Sequence, residues 1–424
     1  MHLLLVNQGD QTTKRFIARR LAAAGHRIAL LHWKPTVWDR HLFDEVMAIR
    51  FADPTGVADT AIRAHKRDPF DGVLCYAEAS VPIANEVARV LGLPVVSAHW
   101  GDAFRYKDRM RIAWEAADLR VSRYRVIRRR TDYRALGTWR FPVVLKPVAM
   151  LGSRGVTKVD SYADLDRYGH LPFHADQDMS IDGERWSMSE LSDIPEVALA
   201  EEYVNGPEFS AEGVVVDGGY RLVGITQKFT TEEPYFDEVA HLFPATALPG
   251  PVEEIRGVLA AAHRALGMRN AVTHTEFRID GEGVCLMELN ARLPGGHIID
   301  LVQTTTGCDL LAAAVGCACG TVSACDLPGP KPDGAPAYAA AVYVTAPPET
   351  WGRRYEEVVL PDLPPRRLVA QHAYASPGSV LIAPHAWGTV RVACAVLAGD
   401  DPAELISDIA RVRSKSEVRC DVRP

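Results

Sequence analysis

Short, solidly apolar runs alternate with longer amphipathic stretches through the first hundred residues. Leu3 to Val6, Ile28 to Trp33, Val46 to Phe51, Val73 to Tyr76 and Val95 to Val96 read as buried strands. Thr13 to Ala24, Thr55 to Lys66 and Val81 to Leu91 carry helical spacing between them. Strands alternating with helices predict a parallel sheet with a Rossmann-like rhythm. No G-x-G-x-x-G follows the first strand, so this sheet is not expected to bind a dinucleotide. The chain passes instead straight into Asn7-Gln8-Gly9-Asp10. Its apolar start is too short for a signal peptide or a membrane span, and a cytoplasmic protein is expected.

A different pattern occupies residues 273 to 292. Thr273-His274-Thr275-Glu276-Phe277-Arg278, the turn Asp280-Gly281-Glu282-Gly283, and Leu286-Met287-Glu288-Leu289-Asn290-Ala291-Arg292 read as a β-hairpin. A loop centred on Glu282 sets Glu276 opposite Glu288. Period two then puts Asn290 and Arg292 on the face of Glu288 and turns Met287 and Leu289 into the apolar layer. Two carboxylates facing each other across a ladder repel, and a bound cation removes that objection. Two carboxylates and an amide, with room left for water and phosphate oxygens, suit Mg²⁺ rather than Zn²⁺. The competing account is an exposed strand pair with solvated charges.

Composition narrows the picture. A chain of 424 residues with 47% hydrophobic content buries a large core and is expected to divide into several domains. A net charge of -7 argues against nucleic acid as a partner, and Arg128, Arg129 and Arg130 read as one solvated edge. The eight cysteines are expected to be reduced. Cys308, Cys317, Cys319 and Cys325 cluster in sequence, but without C-x-x-C knuckles or neighbouring histidines they read as small core residues. Pro328-Gly329-Pro330-Lys331-Pro332 reads as a linker before a C-terminal domain.

The middle of the chain supplies phosphate chemistry. Phe141-Pro142-Val143-Val144-Leu145-Lys146-Pro147 reads as a buried strand ending on a lysine, followed by the loop Gly152-Ser153-Arg154-Gly155-Val156. A lysine at a strand end offers a point charge to a phosphate, and glycines let backbone N–H groups close over a γ-phosphate.

Taken together these segments resemble the ATP-grasp superfamily. Glu288-Leu289-Asn290-Ala291-Arg292-Leu293-Pro294-Gly295-Gly296 is similar to the family's last metal-binding strand, and Lys146-Pro147 with Gly152 to Val156 is similar to its phosphate loop. Arg105-Tyr106-Lys107-Asp108-Arg109-Met110-Arg111 resembles its K-x-x-M-R segment, which implies that Lys107 joins Lys146, Ser153 and Gly155 on the nucleotide. Leu199 to Glu208 resembles its hinge, implying backbone groups of Glu201, Glu202, Tyr203 and Val204 at the adenine edge and Glu208 on the ribose. Glu276, Glu288 and Asn290 would hold the metal. The resemblance covers roughly residues 100 to 320 and implies an α/β fold, α+β in the grasp itself. Its divisions would be an N-terminal Rossmann-like domain over 1–100, an ATP-grasp domain over 101–325 with a mobile lid at about 140–203, and a small mixed C-terminal domain over 326–424.

Phe236 to Ala245 is similar to the E-x-x-H-x-x-P-A segment of L-amino-acid ligases and related carboxylate–amine ligases. That implies His241 at the acyl phosphate or the amine, or else a packed histidine holding a loop. His297 would be a structural or outer group. Arg292 would meet the acyl phosphate, with Glu78, Gly295 and Gly296 among the substrate walls. The implied activity joins two amino acids or similar substrates with ATP and Mg²⁺, Mn²⁺ being an alternative ion, and releases ADP and phosphate. Small carboxylates and amines would be the partners, without nucleic acid or membrane, and a homodimer is an open state. An ATP-grasp carboxylase, a purine-type ligase with another acceptor and a silent nucleotide-binding protein are the alternatives.

Overall fold

The computed structural model describes residues 1–6, 11–33, 35, 37–99, 101–150, 152–173, 179–181, 184–186, 197–231, 234–323, 327, 329, 331–383 and 389–421. Asn7 to Asp10, Leu151, Cys325 and two prolines of the expected linker, Pro328 and Pro330, lie outside that set.

The chain begins β1 (His2–Val6), α1 (Gln11–Ala23), β2 (Arg27–His32), α2 (Val37–Leu42), β3 (Glu45–Ala48), α3 (Pro54–Arg67), β4 (Gly72–Cys75), α4 (Val81–Leu91). These strands form the expected parallel sheet in the order β3-β2-β1-β4. Local chemistry sets the helix ends. Asp53 accepts the Gly56 N–H at 3.0 Å to start α3, and Gly92, left-handed at φ 71, stops α4. The fifth strand expected at Val95–Val96 does not join. Asn85 holds both backbone groups of Ser97, whose bridge is to Met268, so the chain turns away and β4 is left as the sheet's edge.

Next come α5 (Lys107–Glu115), β5 (Tyr124–Ile127), β6 (Val143–Pro147), β7 (Thr157–Val159), α6 (Tyr162–Tyr168), β8 (Met179–Ile181), β9 (Glu184–Trp186) and β10 (Ala198–Glu202). The sheet β5-β10-β6-β7 has its own core of Ile127, Leu136, Val143, Leu145, Val159, Ala198 and Ala200. It therefore includes β5, which precedes the stretch expected to be the lid.

The rest is β11 (Glu208–Val216), β12 (Gly219–Thr230), β13 (Glu238–Phe243), α7 (Val252–Ala265), β14 (Ala271–Asp280), β15 (Gly283–Asn290), α8 (Ile298–Thr306), α9 (Leu310–Cys319), β16 (Tyr338–Thr345), β17 (Tyr355–Val359), β18 (Leu368–Ala373), β19 (Arg391–Gly399), α10 (Pro402–Lys415) and β20 (Glu417–Cys420). One antiparallel sheet runs β15-β14-β11-β12-β13-β16-β19-β18. The segment after residue 326 thus extends this sheet through β13 and β16, and only β17 and β20 pair separately. Pairing covers the outer edge of β13, which would otherwise present unsatisfied backbone groups. Cys308, Cys317 and Cys319 are free thiols in or beside α9.

Candidate functional site

The expected hairpin forms with the expected register: Glu276 pairs with Glu288 across β14 and β15. The next pair is Phe277 with Leu286, so Met287 is an extra bulge residue. Leu289 is fully buried as predicted, but Met287 is turned by the bulge onto the wall of a cavity instead of into the apolar layer. Asn290 follows, 2% exposed, and its Oδ1 has no hydrogen-bond partner. A buried amide oxygen without a donor, beside two facing carboxylates, is an acceptor set that fits a hard cation.

This cavity, about 900 Å³ including its open mouth, collects most of the residues proposed from sequence. Lys107, Lys146, Ser153, Glu201, Glu202, Tyr203, Val204, Glu208, Glu276, Glu288, Asn290, Arg292 and Glu78 all line it. Gly155, Gly295, Gly296 and His241 do not. Segments distant in sequence meet here. Lys107 is the first residue of α5, Lys146 lies near the end of β6, the hinge follows β10, and the acids come from β11, β14 and β15.

Each cation has a carboxylate. Lys107 Nζ donates to the Met150 carbonyl at 2.7 Å and pairs with Glu288 Oε1 at 2.9 Å. Burial works against its charge, but Glu288 and Glu78 outweigh burial and raise its pKa. Lys146 pairs with Glu201, which also accepts Arg111 Nε at 2.9 Å. Burial, together with Arg111 and Lys107, lowers Lys146 despite Glu201. One carboxylate shared by two cations leaves a net positive wall, suited to a polyphosphate. The resemblance puts backbone groups of the hinge at the adenine, and the Glu201 side chain lies between Lys146 and Arg111, since a buried carboxylate needs cationic partners. Around Gly152, Ser153 and Gly155 the backbone is left-handed, at φ 64, 56 and 69.

The hinge is tied down. The Tyr203 N–H donates to the Pro142 carbonyl at 3.2 Å, and the Val204 carbonyl accepts Arg278 Nη1 at 3.1 Å. Gly206 packs so closely on the Ile279 carbonyl that no Cβ fits. Glu202 is exposed towards Arg123. Glu208, the expected ribose acceptor, is held by Arg278 at 3.0 Å and Lys228 at 3.2 Å. The Arg278 guanidinium lies 5.2 Å from the centres of both the Tyr203 and Phe236 rings.

Several of these groups were missed in the sequence. Lys228 on β12 reaches Glu276 at 2.7 Å, Glu238 at 2.8 Å and Glu208 at 3.2 Å. Burial opposes its charge, yet the three acids hold its pKa well above the lysine range. His274 on β14 lies 3.0 Å from the buried Glu212 and 3.3 Å from Glu276. Burial would lower it, but Glu212 and Glu276 push it up to about 9. Glu276, which burial alone would raise, is held well below the usual carboxylate range by Lys228 and His274. A signal existed: Glu212 is a lone acid in the apolar run Phe209 to Val216, and a buried charge needs partners.

Arg292 donates to the Leu293 carbonyl at 2.9 Å and to Glu78 Oε2 at 3.3 Å. Burial, then the neighbouring Glu288, pushes Glu78 up to about 8 in spite of Lys107 and Arg292. His241 is set back from the cavity, 1% exposed. Its Nδ1 is 3.1 Å from the Tyr343 hydroxyl, which donates to the Gly296 carbonyl at 3.0 Å, while its Nε2 is 3.4 Å from Glu238. Gly296, at φ 62, leaves no room for a Cβ against Tyr343. His297 bonds Asp300 at 2.9 Å and stacks on His372 with ring centres 3.8 Å apart, outside the cavity.

Comparison with known proteins follows the same lines. Residues 139–300 match the model of the ATP-grasp domain, and residues 20–95 that of the ATP-grasp N-terminal domain. Alanine–anticapsin ligase of Bacillus subtilis (strain 168) is 28% identical over 272 residues, which are 61% of this chain and 56% of that protein. Carnosine synthase 1 of Gallus gallus is 31% identical over 188 residues, 43% of this chain and 19% of that protein. The chain thus spans little more than half the length of the first of these relatives. The crystal structure of L-amino acid ligase from Bacillus licheniformis superposes with a TM-score of 0.80 at 17% identity, over 99% of both chains. Phosphoribosylglycinamide synthetase from Anaerococcus prevotii superposes at 0.68 and 14% identity, also over 99% of both. At these identities the structural likeness establishes the fold.

Proposed function

Because the chain carries an ATP-grasp domain behind its N-terminal companion, we propose that it is an ATP-dependent carboxylate–amine ligase that forms an amide between two amino acids or similar substrates. The observation that carries this reading is one cavity holding the lysine pair, the facing Glu276 and Glu288, the orphaned Asn290 Oδ1 and Arg292.

A carboxylate is a poor electrophile because oxide would have to leave. Its oxygen attacks the γ-phosphorus of ATP, the bond to ADP breaks, and the carboxylate becomes an acyl phosphate. The amine nitrogen then bonds to the acyl carbon, phosphate departs and the amine loses a proton. Glu276, Glu288 and Asn290 would hold Mg²⁺, or Mn²⁺ in its place, which when bound neutralises phosphate charge. Lys107 and Lys146 offset the charge of the nucleotide, and Ser153 with the Gly155 turn would cover its phosphates. Arg292 offers a planar fork to carboxylate and phosphoryl oxygens. Tyr203, Val204 and Arg278 would frame the base, and His241 would act through Glu238 and the Gly296 turn rather than on the reacting atoms. We also propose 1–100, 101–325 and 326–424 as the working division, a cytoplasmic location, and substrates that are small molecules.

Incubation of the purified protein with Mg·ATP and pooled amino acids, with mass detection of condensed products, tests the reading. ADP and phosphate should appear in equal amounts with the amide. AMP with pyrophosphate, or no nucleotide turnover, overturns it.

A further inference from the structure

A second cleft lies between the parallel sheet and the grasp. It follows the free edge of β4 and is bordered by Cys75 and Tyr76, by Val96, and by Ala314 and Cys317 of α9. It exists because the expected fifth strand does not form: Val95–Val96 turn away with Ser97 towards Met268, and the edge of β4 stays uncovered. Its position beside the carboxyl ends of β1 and β4, where the strand order reverses, is where open α/β sheets leave a ligand crevice. With its mouth and the solvent-open space before it, it measures about 650 Å³, and its enclosed part is narrow.

The walls are apolar. Among the described residues Arg292 is the only ionised side chain in them, and it is also the only residue shared with the charged cavity. Arg292 therefore borders both cavities, and a molecule whose carboxylate it held would have the apolar cleft beside its remainder. A charged side chain placed there would lose its hydration without gaining a partner, whereas an aliphatic one would gain apolar burial. Resting on the ligase reading, the geometry points to a carboxylate substrate with an apolar side chain, lodged in the cleft along β4.

Hydroxylamine as the single amine isolates the carboxylate half of the reaction. With Mg·ATP and excess hydroxylamine, hydroxamate formation is measured for glycine, alanine, leucine, phenylalanine, aspartate and lysine. Leucine or phenylalanine should exceed glycine in kcat/KM by about tenfold or more, since each buried methylene adds a few-fold to tenfold. Ala314→Phe fills the cleft and should lower the leucine-to-glycine ratio about tenfold, and Val96→Ala widens it and should raise the phenylalanine-to-leucine ratio. Melting temperatures identify a variant that fails to fold, in which case the other variant decides. The inference is overturned if aspartate or lysine leads the series, or if the folded variants leave the ratios unchanged. Absence of ADP with every carboxylate is a different result; it removes the ligase reading itself and this inference with it.

Discussion

Replacing Lys228 by methionine keeps the aliphatic stem and deletes the one ammonium that three acids share. At the 2.7 Å separation from Glu276, direct attraction is roughly 6 kcal/mol at an effective dielectric of about 20. Pairs with Glu238 at 2.8 Å and Glu208 at 3.2 Å add to it, while mutual repulsion of the acids and the cost of burying every charge subtract. Breaking such a buried arrangement from one side costs about 3–5 kcal/mol. The pH dependence has a definite sign. Lys228 holds Glu276 and Glu238 below the usual carboxylate range against burial, so the stability they contribute is present above about pH 4.5 and is lost as pH falls through their lower folded values. Without Lys228 those values rise. The loss in Lys228→Met should therefore be greatest near neutral pH and shrink towards about pH 5, as the raised acids of the folded variant take up protons while those of the parent stay ionised. Added Mg²⁺ should restore part of it by supplying charge to Glu276. Urea unfolding and calorimetry near neutral pH and near pH 5, with and without Mg²⁺, measure all three effects. A loss under about 1 kcal/mol at neutral pH, or a gap that widens on acidification, would refute the reasoning.

Glu288→Gln should leave the fold intact and lower kcat by about 10²-fold or more, because a ligand charge is lost from a polar wall; full activity at low Mg²⁺ would contradict the metal face. Lys146→Ala should weaken ATP binding in calorimetry, whereas Arg292→Ala should spare ATP affinity and lose the chemical step, and equal losses of affinity would erase that division of roles. Glu78, raised by burial and by Glu288 to about 8, stabilises the fold in its protonated form, an effect complete below about pH 4.5 and lost as pH rises through about 8. The melting temperature of the metal-free protein should accordingly fall relative to that of Glu78→Gln between about pH 5 and 8; parallel curves would show that Glu78 is ionised throughout.

The parts legible beforehand are those governed by neighbours in sequence. Glu276 faces Glu288 because the polar turn and period-two alternation leave little choice, and α4 begins at Val81 and ends at Leu91 because Pro82 and Gly92 bracket it. One local detail escaped, the bulge at Met287. No residue type in that run demands a bulge, yet it moves one side chain from the core to the cavity wall.

What the chain's order of residues determined by itself is the alternation of strands and helices in the first hundred residues, the strand that ends on Lys146, the hairpin face and the residue types that suit phosphate and metal. Tertiary structure decided how those groups share charge. Lys228 and Glu276 lie in strands separated by β11, and their contact depends on two non-local registers at once, Phe209 with Gln227 and Ser210 with Glu276. The Glu201 side chain is shared between Lys146 and Arg111, and Val95–Val96 went to the grasp rather than to β4. Periodicity constrains which face a side chain occupies, but the pairing of buried charges and the last strand of a sheet are settled only when distant segments compete for the same partners.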